Sequence, residues 1–481
     1  MTPLLDELVG AAVDVVRRPL PSTVRDHAAL LIADTLGVTL AGGRRPESAA
    51  LVDGDDLTGS WRVVPGPTGG RRESPQPGAG AGPFARFLTA GYGWGAPDRV
   101  AYVNATVTCA LELDEGTRPT GHPAAHVLPA ALAAAEAVDA TWPELIAAFV
   151  AGYEVAAGLF DGLRLRPPTH PHGHLGAAGA ATAVALLTAE DPLAMARAAA
   201  TIPLLTTWAP CLEGANVRNT WAGHAASAGL LARRLVRAGF RGSPASYDAS
   251  FDGLVADRVE VDPALVGTRI TGGYIKLYSA CAITHSAIEA ARKLYPLTAD
   301  PTSGTSATAA AADGPSASRS AGTAPEGGPG VPDVAEVRVA VNGNGMKTAA
   351  QPGDTDLSRR FSTPYAVAVA LLRGDAAPGR FDVADPEALE LARRVTVVED
   401  VDATAAWPRL APATVTVVAA DGSVRTAHAD DAHGHPGDPA PASAVRAKFR
   451  ALTAHPDEIW DLLTSPQTRL PVRAVLDALL A

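Results

Sequence analysis

Aromatic residues and cysteines are scarce in this chain, and the small number of cysteines excludes two kinds of site. Phe, Trp and Tyr make up 5% of the 481 residues, and there are three cysteines. Cys109, Cys211 and Cys281 are far apart and form no CxxC pair, so neither a disulfide framework nor a structural zinc site is expected. The sequence therefore predicts a protein of a reducing compartment, and its many alanines favour closely packed helices.

An excess of positive charge is also missing. Lys and Arg number 40 against 51 Asp and Glu, a net charge of −11 that predicts no general attraction to nucleic acid. Residues 1–18 carry acidic side chains within an amphipathic pattern, unlike a signal peptide. No apolar run is expected to be long enough to cross a bilayer. We therefore expect a soluble, cytoplasmic protein without membrane or nucleic-acid partners.

The length exceeds what one hydrophobic core supports, so two domains are expected. Helical periodicity dominates up to about residue 260, and period-two apolar patterns with a hairpin signal at Asp421-Gly422 follow. Two segments rich in small residues, Pro and Gly are expected to be a surface loop (52–82) and a low-complexity insertion (300–332). The predicted helices are two within 4–42, then 84–91, 98–113, 124–138, 143–160, 176–188, 192–201, 220–238, 357–373 and 386–392. The predicted strands are 334–341, 394–398, 413–418 and 423–428, and helical patterns return after residue 439.

The first candidate site is the stretch from Ala110 to His126. A helix ending in three acids is followed by a Gly/Pro-rich loop and by His122 just before a new helix. The positive end of that helix dipole is expected to lower the pKa of His122 and keep it neutral, as a general base requires. The alternative interpretation is a capping loop with solvated acids.

The second candidate site is the run His170-Pro-His172-Gly-His174. Imidazoles at alternate positions can converge on zinc, which suggests a metal-dependent hydrolase. No recognisable motif supplies the further carboxylate ligands. The alternative is a hydrogen-bonded polar loop.

Two further clusters supply cations. Arg218 and Trp221 are predicted at a helix start, where a guanidinium can grip a carboxylate in bidentate fashion. Lys276 lies in an apolar stretch, where its charge would be costly unless an acid pairs with it. The alternative is that both are surface cations. Together the four clusters suit a polycarboxylate ligand.

These residues resemble the motifs of the MmgE/PrpD family. LELDEG…GHPAAHVLPAAL is similar to its LDFDD…HPS…V.PAAL block, and HPHGHLGAAGAATAVALL to HPTGTHG..GAA.AAA..LL. YIKLYSACAITHSAIEA resembles KPYPCCRFTHPAID, and RRFSTPYAVAVALLRGD resembles AKFSLPYAVA.AL..G. The later segments VTVVED, ATVTVVAADG and HPGDPAPASAVRAKFRAL also fit. The resemblance runs in sequential order over nearly the whole chain.

The resemblance implies a mainly α fold with two domains. Residues 1–268 together with 432–481 would form a large all-helical domain, and residues 269–431 a smaller α+β lid. It further implies a homodimer with a site in the interdomain cleft, no metal and no organic cofactor.

The resemblance also implies site residues. The family's active-site histidine maps onto His122, an acid of its first block onto Asp114, the histidine of its HP motif onto His170, and its lysine onto Lys276; these four are the expected catalytic residues. Contact with the substrate is expected from Glu112, Thr117, His172, Arg218, Trp221, Tyr278, Cys281 and His285. The chain departs from the family pattern at Glu112, Gly116 and Arg218, where the family has Asp, Thr and often Lys, and it keeps one of two cysteines.

The predicted function is proton transfer on a small hydroxy-polycarboxylate by a lyase of the dehydratase kind, similar to 2-methylcitrate dehydratase. Arg218 on the first domain and Lys276 on the second would hold carboxylates from opposite sides. A decarboxylase or epimerase on the same scaffold, a metal-dependent hydrolase and a non-catalytic binding protein are the alternatives.

Overall fold

The chain is mainly helical, as predicted. The structure is a computed structural model that describes residues 3–53, 84–89, 93–202, 204–297 and 333–481. The α-helices are α1 (Leu4–Val16), α2 (Ser22–Gly42), α3 (Pro46–Asp53), α4 (Pro97–Thr108), α5 (Pro123–Ala137), α6 (Trp142–Gly162), α7 (Gly176–Thr188), α8 (Pro192–Ala200), α9 (Ala209–Glu213), α10 (Thr220–Arg237), α11 (Ser246–Ser250), α12 (His285–Arg292), α13 (Asp356–Arg360), α14 (Thr363–Arg373), α15 (Gly379–Asp382), α16 (Pro386–Ala392), α17 (Val401–Ala406), α18 (Ala442–Thr453), α19 (Asp457–Thr464) and α20 (Val472–Leu480).

The strands are short in the first half of the chain and longer in the second. They are β1 (Ala85–Arg86), β2 (Trp94–Gly95), β3 (Leu163–Leu165), β4 (Thr169–His170), β5 (Thr206–Thr207), β6 (Ala256–Val259), β7 (Val334–Val341), β8 (Val395–Glu399), β9 (Ala413–Ala419) and β10 (Val424–Ala429). The pairs β1–β2, β3–β6 and β4–β5 are two-stranded and antiparallel. Strands β7 to β10 form one sheet.

The chain packs into two compact units. The first comprises Met1–Trp208, Asn219–Gly273 and Leu452–Ala481, and the second comprises Ala209–Arg218 and Tyr274–Ala451. The first unit therefore draws on both ends of the chain. These units differ from the predicted domains in three segments: residues 209–218 and 432–451 pack with the second unit, and residues 269–273 pack with the first. The predicted domain boundaries themselves stay a prediction.

Helices of the first unit approach each other closely through small residues. A Cβ atom added to Gly152 on α6 would lie 2.6 Å from the carbonyl oxygen of Gly179 on α7. The facing positions on α5, α7 and α10 are largely alanine, and these alanines are fully buried. The alanine-rich composition is therefore a packing requirement, because backbones this close leave no room for larger side chains.

Helix α6 is apolar enough to be mistaken for a membrane span. It has 21 residues, its most apolar window has a mean hydropathy of 1.4, and 89% of that window is buried inside the structure. The expectation that no apolar run is long enough to cross a bilayer was therefore wrong by length and composition. Its burial is typical of a core helix in a soluble protein.

The second unit contains a four-stranded sheet in the order β10-β9-β7-β8. Strand β7 pairs in parallel with β8 and antiparallel with β9, which also forms the hairpin with β10. Val337 and Val339 of β7 and Val415 of β9 are fully buried, and they pack with residues of α12, α14 and α16. The alternation of buried and exposed residues in β9 reproduces the period-two pattern that predicted the strand.

Most predicted elements lie within one or two residues of the observed ones, and four predictions need correction. The predicted helix 84–91 is wrong, because Ala85 and Arg86 pair with β2. The predicted helix 98–113 is too long, because α4 ends at Thr108. The predicted helix 357–373 is two helices, since Ser362 leaves helical geometry and caps α14 through its hydroxyl. The first 260 residues are not entirely free of strands. The predicted loop beyond residue 53 and the predicted insertion at 300–332 lie outside the described residues.

Candidate functional site

His122 lies at the start of α5 and is held by two acceptors. Its Nδ1 is 2.8 Å from Asp114 Oδ2 and 2.6 Å from the carbonyl oxygen of Glu115. Pro123 provides the first helical residue, where its missing N–H costs nothing. Gly121 (φ +126°) precedes His122 and packs so closely on Phe160 that a Cβ atom would meet its ring at 2.3 Å. The turn that presents His122 thus requires glycine.

These contacts determine which ring nitrogen of His122 carries the proton. A carbonyl oxygen only accepts hydrogen bonds, so Nδ1 is the donor. In the neutral ring the lone pair is then on Nε2. The His122 side chain is 13% exposed, whereas that of Asp114 is 2% exposed. A buried carboxylate therefore orients an imidazole whose Nε2 carries the lone pair, the arrangement that a general base needs.

Glu115 is buried directly behind His122. The hydroxyl of Tyr153 donates to its Oε2 over 3.0 Å, and the amide of Ala124 donates to its Oε1 over 2.5 Å. Loss of hydration by burial raises its pKa to about 8, against the opposing effect of these hydrogen bonds, while the charge of Asp114 adds to the rise. Near neutral pH the carboxyl is thus mostly protonated.

Glu112 is held in a backbone conformation that non-glycine residues seldom adopt. Its φ is +48°, and its side chain is buried at 2% exposure. Thr117, also buried, donates its backbone N–H to the Gly121 carbonyl over 2.9 Å and so closes the loop before His122. The expectation that Glu112 contacts a substrate stays a prediction.

The loop between β4 and α7 brings more rings to the same place. The ring of His172 lies 4.6 Å, centroid to centroid, from both His122 and His170, in edge-to-face contact. The His170 ring also contacts Trp208 at 4.5 Å and Trp221 at 5.0 Å. The structure thus brings together residues of three predicted clusters.

The protonated nitrogen of His170 is also determined by its neighbours. The backbone N–H of His172 donates to His170 Nδ1 over 3.2 Å. The Nδ1 atom therefore carries a lone pair, and Nε2 carries the hydrogen in the neutral ring. His122 and His170 consequently present opposite functions at Nε2, an acceptor on the first and a donor on the second.

Two neighbouring histidines are locked in the neutral form. His126 donates from Nδ1 to the carbonyl of His122 over 2.7 Å and accepts the Gly173 N–H at Nε2 over 3.3 Å. His174 donates from Nδ1 to the Leu204 carbonyl over 2.6 Å. Burial, the largest cause in both cases, lowers the pKa of each to about 4. Both support the loops that carry the other histidines.

The HxHxH run does not converge on one point in the described part of the chain. His174 stacks on Phe251 at 5.4 Å, whereas the rings of His170 and His172 contact each other at 4.6 Å. Within the residues described, no three His, Cys, Asp or Glu side chains are grouped so as to hold a metal ion. The predicted independence of metal stays a prediction.

The second unit holds its own buried cluster around Lys276, which is fully buried. His285 Nε2 is 3.0 Å from the Ala280 carbonyl, and its Nδ1 is 3.2 Å from Nε2 of His435, whose ring stacks on Tyr274 at 4.5 Å. Burial, followed by the charge of Lys276, lowers the pKa of His285 to about 3. His285 is thus a neutral neighbour of the lysine.

Other predicted contacts also belong to the second unit. The Tyr278 hydroxyl donates to the Glu289 carboxylate and accepts from Arg292 Nη1 over 2.5 Å, so its hydrogen bonding is internal. Burial and, next, the Glu289 charge raise the pKa of Tyr278. Cys281 is buried, and its backbone N–H donates to the Arg360 carbonyl over 2.9 Å.

Arg218 occupies a different place from the one predicted. It lies in a 3₁₀ helix, Asn216–Asn219, just before α10, and it packs with the second unit. Its guanidinium carbon lies 5.3 Å from the ring centroid of Phe361, and the residue is 2% exposed. The expectation that Arg218 and Lys276 are on different domains is therefore wrong, since both belong to the same unit. The interpretation as surface cations is also wrong for both.

Glu115, His126, Tyr153 and Trp208 were not among the predicted site residues. Glu115 and His126 lie inside the first candidate stretch, and His126 follows His122 by one helical turn, which is a signal that sequence offers. Tyr153 and Trp208 lie outside every motif, and the packing of α6 and of strand β5 brings them in.

The protein is mainly helical. Its first unit contains a buried group of histidines and acids, and its second unit contains buried cations and a mixed four-stranded sheet. The MmgE/PrpD N-terminal domain matches residues 6–257, and the MmgE/PrpD C-terminal domain matches residues 278–458. The chain belongs to the MmgE/PrpD family. No curated protein matches it significantly.

Proposed function

We propose that the protein is a cofactor-independent lyase of the dehydratase kind, which acts by proton transfer on a small hydroxy-polycarboxylate. Membership of the MmgE/PrpD family supports a dehydratase-like activity. The observation that carries the proposal is the pair of opposite Nε2 functions on His122 and His170, both determined by fixed backbone groups.

The chemistry follows from these two rings. His122 Nε2 takes the proton from the carbon next to a carboxylate, and the C–H electron pair becomes the new C=C bond. The C–O bond breaks, and the same imidazolium returns its proton to the departing hydroxide, which leaves as water. His170 keeps its proton and donates a hydrogen bond from Nε2 to the oxygen on which negative charge develops.

The acids have supporting roles in this scheme. Asp114 lies 2.8 Å from Nδ1 of His122, so it orients the ring and stabilises the imidazolium. Glu115, mostly protonated near pH 7, adds little negative charge behind it. The buried cations Arg218 and Lys276 are the proposed partners of the substrate carboxylates.

Proton NMR in D2O tests this proposal over citrate, 2-methylcitrate, aconitate, isocitrate and aspartate-derived dicarboxylates. We expect loss of one C–H signal together with release of water by the wild-type protein, and a fall of kcat by about 10²-fold or more in His122→Gln. His433, which lies 3.1 Å from Asp438 in a far more exposed pair, provides the matched control His433→Gln.

Each other outcome has a meaning. Exchange of the C–H proton without a net reaction would indicate an epimerase, and release of CO2 a decarboxylase. Turnover that persists unchanged in His122→Gln would contradict the proposed role of His122. Absence of both C–H signal loss and exchange with every compound would contradict the dehydratase proposal.

The expected homodimer and cytoplasmic location are proposals that rest on the family resemblance and on composition. Light scattering of the purified protein measures the mass in solution, which we expect to be twice the 49.0 kDa of one chain.

A further inference from the structure

The ring of His172 occupies the centre of the histidine array. It contacts His122 and His170 at 4.6 Å and His126 at 5.0 Å, in each case edge to face. The residue is 2% exposed. The His172 ring therefore contacts the proposed base His122, the proposed hydrogen-bond donor His170 and the supporting histidine His126.

The position of this ring is set by the loop that carries it. The His172 carbonyl accepts the hydroxyl of Thr206 over 2.8 Å, and the His172 N–H is bound to His170. Gly173, at φ +98°, follows and donates its N–H to His126. With bonds on both sides, the backbone that carries the ring is held in place beside its neighbours.

The contacts of these four histidines favour a positive charge on His122. His126 already donates at Nδ1 and accepts at Nε2, and protonation of His170 at Nδ1 would break its bond with the His172 N–H. His122 has the Asp114 carboxylate at 2.8 Å, which would stabilise an imidazolium there. A second positive charge on His172, only 4.6 Å away, would be repelled.

We propose that His172 is a positioning residue that stays neutral and stabilises the imidazolium formed on His122 through its polar ring. The proposal rests on the proposed function, because it assigns a partner to the same acid–base group. A neutral imidazole offers an electron-rich face and a nitrogen lone pair, and either lowers the cost of a cation in a buried site.

Other titratable groups border the array. Asp114 and Glu115 face it from the segment before α5, Tyr153 from α6 beside Glu115, and His174 from the same loop.

The test is a ¹⁵N NMR titration of the histidine side chains in the full-length protein, without substrate. In the wild type we expect His122 to gain a proton as pH falls. The ¹⁵N chemical shifts of His172 should change with the same midpoint and keep values typical of a neutral imidazole. Protonation of His172 at or above the His122 midpoint would overturn the proposal, and this result needs no variant.

Two substitutions separate polarity from packing. His172→Leu removes the polar ring and should lower the His122 midpoint by about one pH unit and kcat by about tenfold, with KM changed less than about twofold. His172→Gln keeps a polar group and should restore at least half of the midpoint shift. A midpoint change of less than about half a unit in His172→Leu would overturn the proposal.

His174→Leu is the matched control in the same loop. Its imidazole is bonded to the Leu204 carbonyl and stacked on Phe251, so its loss should lower stability and leave the His122 midpoint unchanged. An equal midpoint shift in His174→Leu would indicate a general effect of loop damage and overturn the proposal. Because the titration uses no substrate, its outcome is independent of whether deuterium exchange supports the dehydratase chemistry.

Discussion

Glu115 offers a direct test of the buried acid behind His122. Glu115→Gln keeps the shape of the side chain and removes its ability to ionise. Its amide oxygen can still accept the Ala124 N–H, and its amide NH2 would donate to the Tyr153 oxygen in place of the bond that Oε2 accepts. Burial raises the pKa of this carboxyl from 4.5 to about 8. The substitution should therefore change the free energy of unfolding little at acidic pH and much more at alkaline pH.

The sign and size follow from proton linkage. Between pH 4.5 and about 8 the folded protein keeps a proton that the unfolded chain releases, so the contribution of Glu115 is fully present below pH 4.5 and is lost as pH rises towards 8. A difference of about 3.5 pH units, at 1.36 kcal/mol for each, corresponds to about 5 kcal/mol. We therefore expect Glu115→Gln to match the wild type near pH 5 and to exceed it by up to about 5 kcal/mol at pH 9.

Urea unfolding followed by circular dichroism at half-unit steps from pH 5 to pH 9 measures this difference. Glu144→Gln is the control, because Glu144 is exposed and its pKa is lowered by the Thr141 hydroxyl and backbone N–H. Its curve should run parallel to that of the wild type over this range. Parallel curves for Glu115→Gln and wild type, within about 0.5 kcal/mol, would refute the argument that Glu115 is buried as a neutral acid.

Three further predictions concern acid stability, substrate binding and metal. Burial lowers the pKa of His126 and His174 to about 4 and that of His285 to about 3, so the free energy of unfolding should be highest above pH 6.5 and fall as pH drops below it. Urea unfolding at a series of pH values should show an uptake of at least two protons on unfolding at pH 5. An unfolding free energy that is the same at pH 5 and pH 6.5 would contradict this prediction. Lys276→Met should raise KM for the carboxylate substrate about tenfold or more, since a charged hydrogen bond contributes about 1.5–3 kcal/mol. Lys293→Met, on an exposed lysine of the same unit, is the control and should leave KM unchanged. Equal KM values for the two variants would remove Lys276 from the site. Chelation and dialysis should leave activity intact, and zinc that is lost in step with activity would favour the hydrolase alternative.

Sequence reasoning succeeded where local periodicity decides the structure. Strand β7 and helices α7 and α16 have the predicted bounds, because alternation in the strand and capped, alanine-rich runs in the helices determine local geometry. Asp385, for example, caps α16 by accepting the N–H groups of Glu387 and Ala388. The predicted helix at 84–91 failed because the pairing of Arg86 with Trp94 depends on a partner strand eight residues away.

The candidate site was predicted in pieces. His122 and Asp114 were assigned together from one motif, and the structure places them 2.8 Å apart. That His172 lies between His122 and His170 could not be predicted, because a span of 50 residues separates the two loops and only the packing of α5 against α7 joins them. The unit to which Arg218 belongs was mistaken for the same reason: the segment 209–218 leaves the helices that flank it and packs elsewhere.

What the sequence by itself determined is the family and the mainly helical class, whereas the acid–base role of His122 stays a prediction. These depend on motifs and periodicities, which are local. The tertiary structure alone decided the protonated nitrogen on each imidazole, the raised pKa of Glu115 and the burial of Lys276 without an exposed face. Each of these depends on which atoms surround a group in space, and burial and hydrogen-bond partners come mostly from residues distant in the chain.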